Sequence, residues 1–211
     1  MNNRKNTETQ LAAIFASGTT PRLLLHCCCA PCASYVFEYL SPVFDITAFF
    51  FNPNIYPHDE YEKRASMFKP LMTAAEYPNN VDLIIEKYSP ETFICMAEPM
   101  LDSPEGGARC TGCFELRLSE TAKRAKSDGF DYFATTLSVS PHKNAELLNE
   151  IGNRLALEYK TFYLNSDFKK RDGYKRSVEL SKQYGLYRQS YCGCSSSLPL
   201  SQKERNSLSK T

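Results

Sequence analysis

Nine cysteines occupy this 211-residue chain, and all but Cys95 fall into three tight groups. The first is Cys27-Cys28-Cys29-Ala30-Pro31-Cys32, the second Arg109-Cys110-Thr111-Gly112-Cys113, the third Tyr191-Cys192-Gly193-Cys194. Sulfur at this density collects a metal or cluster as thiolate, or passes electrons by closing to a disulfide. Three groups so far apart share one site only if the fold assembles them.

Cys110 and Cys113 form a Cys-x-x-Cys pair at the expected start of a helix, where unpaired N–H groups and the helix dipole favour thiolate. Arg109 precedes the pair and Arg117 follows Cys113 by one turn. In the first group, side chains leaving a strand alternate across it, so Cys27 reads as buried while Pro31 stiffens a turn that presents the other sulfurs. Gly193 permits a sharp turn that brings Cys192 and Cys194 to one site, either as ligands or as a dithiol able to close to a strained, reducible disulfide. Cys95, in Thr92-Phe93-Ile94-Cys95-Met96-Ala97, reads as a core residue of an apolar helix.

A small zinc ribbon sets its cysteine pairs about 15–20 residues apart, a spacing these groups far exceed. Zinc in another arrangement stays open, and an iron–sulfur cluster on four thiolates accepts scattered ligands and adds electrons. His26 reads either as a donor beside the cysteines or as a strand residue, His58 and His142 as loop residues. No H-E-x-x-H, G-x-S-x-G or Gly-rich phosphate loop occurs, and cysteines stand where an ATP-binding loop needs glycines. The basic run Phe168-Lys169-Lys170-Arg171-Asp172-Gly173-Tyr174-Lys175-Arg176 reads as a solvated helix start or as a phosphate-contacting edge beside a pocket for an extruded base.

The elements that must position these groups alternate. Apolar runs at 22–26, 46–51, 81–85, 132–137 and 161–164 suit strands buried on both faces. Helical stretches are expected near 34–40, 61–75, 113–127, 144–159 and 174–184; in the third, Phe114, Leu118, Ala122 and Ala125 recur at helical spacing. This order predicts an α/β fold, a Rossmann-like parallel sheet flanked by helices. Ligands of such sheets bind outside the carboxyl ends of the strands. The first cysteine group, Asn52-Pro53-Asn54 and the segment 138–144 all follow strands and should face one crevice. A single domain over 21–200 is expected between a loose extension, 1–20, and a loose polar tail, 201–211.

Hydrophobic content of 42% and aromatic content of 12% belong to a folded globule. A net charge of +1 excludes indiscriminate coating of nucleic acid. The first ten residues hold no apolar run able to act as a signal peptide, and no stretch nears the roughly 18 apolar residues of a membrane span. The expected setting is cytoplasmic, with no membrane partner. In a reducing compartment, an odd and clustered set of cysteines points to metal binding or catalysis.

His26 through Cys32, Phe50-Phe51-Asn52-Pro53-Asn54-Ile55 with Pro57, and Glu60-Tyr61-Glu62-Lys63-Arg64 resemble the cobalamin-independent epoxyqueuosine reductase (QueH) family. So do Arg109-Cys110 with Cys113, Ser140-Pro141-His142-Lys143-Asn144, and Tyr187-Arg188-Gln189 before Tyr191-Cys192-Gly193-Cys194. The resemblance runs in order from about Leu23 to Leu198. It implies an oxidoreductase on an architecture resembling the HUP/PP-loop type, which reduces epoxyqueuosine to queuosine at the tRNA wobble position, the last step of queuosine biosynthesis. It further implies a [4Fe–4S] iron–sulfur cluster on Cys28, Cys29, Cys110 and Cys113, and a redox-active pair of Cys192 and Cys194. Cys32 becomes a catalytic position able to hold a second metal ion, iron or zinc, although Cys192 or Cys194 could equally ligate that ion. The electron donor is unidentified. Asp167, Lys143 and Arg188 are candidates to bind substrate or move protons. The alternative class is a zinc-stabilised, noncatalytic RNA-binding protein; tRNA thiolation on a similar scaffold would need ATP, against which the first loop speaks.

Overall fold

The computed structural model describes residues 3–198. Strands β1 (Arg22–His26), β2 (Asp45–Phe50), β3 (Val81–Ile85), β4 (Tyr132–Thr135) and β5 (Phe162–Tyr163) form one parallel sheet in the order β3-β2-β1-β4-β5. Around them run α1 (Asn3–Ser17), α2 (Ala30–Leu40), α3 (His58–Ser66), α4 (Phe68–Ala74), α5 (Glu91–Ala97), α6 (Ala108–Ser127), α7 (Ala145–Tyr159) and α8 (Gly173–Gln183). The α/β architecture expected from the alternation is the one found.

Both faces of the sheet are covered, which is why the central strands read as continuous apolar runs. On one face Leu23, Leu25 and Phe50 pack with Val36, Phe37 and Leu40 of α2 and Leu180 of α8. On the other, Leu24 and Phe133 pack with Phe114 and Leu118 of α6 and Leu148 and Ile151 of α7. The chain winds outward in opposite directions from β1 and β4, so the crevice of the sheet opens between their carboxyl ends. His26, the last residue of β1, lies opposite Thr135, the last of β4. The cysteines follow immediately.

Several boundaries differ from expectation. β4 stops at Thr135 because its hydroxyl accepts from Leu137 N–H at 3.2 Å, turning 136–139 into a short 3-10 helix. The helix expected over 61–75 is two: an unbroken helix would drive the Pro70 ring into the Ser66 carbonyl, so α3 ends at Ser66 and α4 restarts with Pro70 in its first turn. Residues 3–17, expected to be loose for their polarity, form α1, with Ile14 buried and Thr7 Oγ1 donating to Asn165 O at 2.5 Å. The expected tail, 201–211, lies outside the described residues. Among the described residues no helix is long and apolar enough to cross a membrane.

Candidate functional site

The crossing point of the sheet sets the first group. Cys27 N–H still bonds Phe49 O at 2.9 Å, and its sulfur turns inward to Leu25 O, so Cys27 is a fully buried core residue as expected. Cys29 caps α2 in an extended conformation, and Cys32 follows in the first helical turn. The chain thereby folds three sulfurs, those of Cys28, Cys29 and Cys32, to within 4.8 Å of one another, a spacing that could hold a metal ion. Hydrogen bonds from Cys28 and then Cys32 hold the Cys29 thiol well below its usual range. The same sharing raises Cys28 and, through Cys28 and Cys29 together, Cys32. Of the three sulfurs Cys29 gives up its proton most readily, and a metal ion would displace the protons on the other two. Gln189 Nε2 donates to the Cys29 sulfur at 3.2 Å from across the molecule.

His26 does not serve as a ligand. Its Nε2 bonds Phe51 O at 3.1 Å and its Nδ1 lies 3.0 Å from Thr135 Oγ1. The carbonyl accepts only from N–H, so Nε2 carries the proton and the threonine hydroxyl donates to Nδ1. Burial, reinforced by Arg117, pushes its pKa down to about 3. A neutral imidazole therefore locks the ends of β1 and β4 together beneath the cysteines.

The second and third groups meet each other. Cys110 and Cys113 lie in the first two turns of α6, and a hollow joins them to Cys192 and Cys194, with Asn54, Phe93, Phe114, Arg117 and Lys143 in its wall. Burial pushes the Cys113 thiol up to about 11 against the pull of Arg117. Arg117 is 2% exposed; its Nε donates to Cys113 O at 3.2 Å and its Nη2 has no partner. Burial opposes this charge, yet Cys113, Cys192 and Cys28 outweigh it and raise its pKa. Lys143 donates from Nζ to the Cys192 sulfur at 2.9 Å. Desolvation again works against the ammonium, and Cys192 overcomes it.

The residues expected to hold a cluster thus divide between two neighbouring groups, Cys28 and Cys29 with Cys32, Cys110 and Cys113 with Cys192 and Cys194. Arg117 lies where it acts on both. A buried guanidinium with an unpaired N–H is costly unless an anion answers it, and a thiolate-bound metal centre is such an anion. The donor set fits a thiophilic metal or an iron–sulfur cluster.

Other expectations change. Cys95 is exposed, because α5 buries Phe93 and Ala97, one turn apart, and Cys95 lies on the far side. Arg109, which also lines the hollow, holds the carbonyls of Met100, Leu101 and Ser103 through Nη1 and so fastens the α5–α6 connection. Arg188 donates to Ser177 O and Ser181 Oγ on α8 and covers Tyr174. Asp167 pairs with Lys169 and Lys170 beside a separate hollow lined by Tyr35 and Tyr39. Of the three candidates for substrate or proton handling, only Lys143 stands among the cysteines. Gln189 and Arg64 stand in motifs that carry the resemblance, but nothing local gives them a role; each reaches a cysteine segment more than a hundred residues away in sequence.

The family model for epoxyqueuosine reductase QueH matches residues 23–199. A protein named epoxyqueuosine reductase QueH from Streptococcus pyogenes serotype M1 is 46% identical over 176 residues, covering 82% of this chain and 69% of its own. One of the same name from Staphylococcus aureus strain Mu50 is 44% identical over 178 residues, 82% of this chain and 74% of its own. The relative from Thermotoga maritima, also so named, is 35% identical over 192 residues, 87% of this chain and 93% of its own.

Proposed function

The chain belongs to the epoxyqueuosine reductase QueH family, and on that premise we propose that it reduces epoxyqueuosine in tRNA to queuosine at the wobble position. The observation that carries the chemistry is a pair of neighbouring sulfur groups, Cys28, Cys29 and Cys32 just beyond β1 and Cys110, Cys113, Cys192 and Cys194 around one hollow, with Arg117 acting on both and Lys143 on Cys192. In this reading the protein is a cytoplasmic iron–sulfur enzyme. Cys28, Cys29, Cys110 and Cys113 hold a [4Fe–4S] cluster, and Cys32 serves a second metal ion, iron or zinc. When bound, these groups supply single electrons and a Lewis acid.

The chain's own residues account for the balance of the reaction. Removing the epoxide oxygen to leave an alkene takes two electrons and two protons. Cys192 and Cys194 release two electrons as their sulfurs join in a disulfide, and the oxygen departs as water. Lys143, hydrogen-bonded to Cys192, is placed to hand a proton to the oxygen as the ring opens. Arg117 stabilises negative charge between the two sulfur groups without giving up its own proton. An external electron donor then reopens the disulfide.

The test is anaerobic: iron, sulfide and zinc content with a visible spectrum, then dithionite and tRNA bearing epoxyqueuosine. The reading expects about four iron and four sulfide per chain, or slightly more iron, and conversion to queuosine. Stoichiometric zinc without sulfide, and no conversion after attempted reconstitution, would replace it with a zinc-stabilised RNA-binding protein.

A further inference from the structure

Three successive carbonyls of the third cysteine segment are captured from one side. Arg64 donates through Nη2 to Tyr191 O at 3.2 Å and through Nη1 to Cys192 O at 3.1 Å, and Tyr56 N–H donates to Gly193 O at 2.8 Å. The guanidinium is itself held, its Nε at 2.7 Å from Glu60 Oε1, and Arg64 is only 2% exposed. Glu60 also accepts from Tyr187 Oη, at 3.1 Å, so the start of the segment is tied to the same carboxylate. Every donor to the three carbonyls comes from the β2–α3 loop or α3. Cys192 and Cys194 both line the hollow with Cys110, Cys113 and Lys143, and the Cys192 sulfur accepts there from Lys143 Nζ at 2.9 Å.

We propose that Arg64 is a positioning residue for the Cys192–Cys194 dithiol, fixing the backbone of the turn so that both sulfurs stand ready to close on one another. This rests on the reading of Cys192 and Cys194 as the redox pair. A buried arginine spent on two consecutive carbonyls is informative because planar, forked N–H groups can hold two acceptors in one orientation, which a lysine cannot. It also explains an otherwise expensive arrangement: residues 191–193 belong to no helix or strand, the short 3-10 helix Ser195–Ser197 starting only after Cys194, so their carbonyls need partners from elsewhere. Disulfide closure between thiols two residues apart depends on how much freedom the turn gives up. Holding the turn beforehand raises the effective concentration of one sulfur at the other.

The measurement is the equilibrium constant for closing the Cys192–Cys194 disulfide in the purified full-length protein, read by peptide-resolved alkylation across glutathione redox buffers. In Arg64→Met the constant falls about tenfold, a shift of about 30 mV toward a more oxidising pair. Arg64→Lys, able to hold one carbonyl, falls between Arg64→Met and the parent. Glu60→Gln, which keeps the guanidinium but loosens its anchor, moves in the same direction and serves if Arg64→Met does not fold. Turnover drops with the constant while KM for the tRNA stays put. A pair that closes equally well in the parent, Arg64→Met and Glu60→Gln overturns the positioning role and leaves the redox pair standing. A pair that never closes in the parent overturns both.

Discussion

Lys143 Nζ and the sulfur of Cys192 stand 2.9 Å apart, a charge-assisted contact between the loop after β4 and the third cysteine segment. Most of the lysine is withdrawn from water, and the net effect of its surroundings is to raise its pKa above the ordinary lysine value despite the cost of burial. The ammonium form is therefore the resident form throughout neutral pH. If Lys143 delivers the proton that the opening epoxide needs, Lys143→Met should lower turnover by about 100-fold, within the range for loss of a positioned acid. The alkaline limb of the parent's rate profile should lie above the ordinary lysine range, since a raised pKa keeps the proton bound as pH rises. A limb near neutrality would assign that proton to another group.

The sulfur groups predict distinct losses. Cys110→Ser and Cys113→Ser should each abolish the visible absorbance of a reconstituted cluster, whereas Cys194→Ser should spare much of it and still end turnover. Cys95→Ser should change neither, because Cys95 lies exposed on α5 outside the hollow. Spectra and iron content of the four variants, measured side by side, check the assignment; loss of the chromophore in Cys194→Ser would move that residue into the cluster's own ligand set.

What could be read in advance was whatever the chain encodes locally. Leu23-Leu24-Leu25 announces a strand buried on both faces, and Cys28, Cys29 and Cys32 meet because a strand end, an extended cap and one helical turn bring neighbours together. The placement of Cys110 and Cys113 in the first turns of α6 follows from the helical spacing of Phe114, Leu118 and Ala122. What could not be read is held by distant partners. Arg109 and Arg117 are both arginines beside cysteines, yet one faces the carbonyls at 100–103 and the other the sulfurs; eight residues of helix separate them by more than two turns. Arg64 sits in an ordinary charged helix, and only the return of residues 187–194 to α3 gives it two carbonyls. Cys95 misled because an apolar heptapeptide suggests a core helix, while α5 lies at the surface and buries one stripe.

His26 makes stability depend on acid. Its folded-state pKa of about 3 lies below the ordinary 6.5, chiefly through burial and then through Arg117. The unfolded chain therefore binds a proton that the folded chain refuses between those values. The contribution is complete above pH 6.5 and is lost as pH falls toward 3, at roughly 1 kcal/mol per pH unit. Urea midpoints of the metal-free protein at pH 7 and pH 5 should fall accordingly. His26→Gln, which cannot take up that proton, should lose stability at pH 7 but show a flatter descent.

Gly193 offers the sharpest steric test. Its φ of 133° lies in a region that side chains rarely enter, and an added Cβ would stand 3.1 Å from Asn54 Nδ2, 3.2 Å from Ile55 Cγ1 and 3.3 Å from Arg64 Nη1. Alanine there meets two separate penalties. The backbone strain is on the order of 1–3 kcal/mol, and relief by movement would pull Gly193 O from Tyr56 N–H, the bond that completes the capture of the turn. Gly193→Ala should therefore lower thermal stability modestly and turnover by about tenfold or more, because the same shift that relaxes φ turns the flanking sulfurs away from each other. Gly18→Ala supplies the control: it too has a positive φ, 67°, but nothing within 4 Å of the added Cβ. It should share the loss of stability and keep full turnover, which separates backbone strain in general from displacement of the Cys192–Cys194 turn.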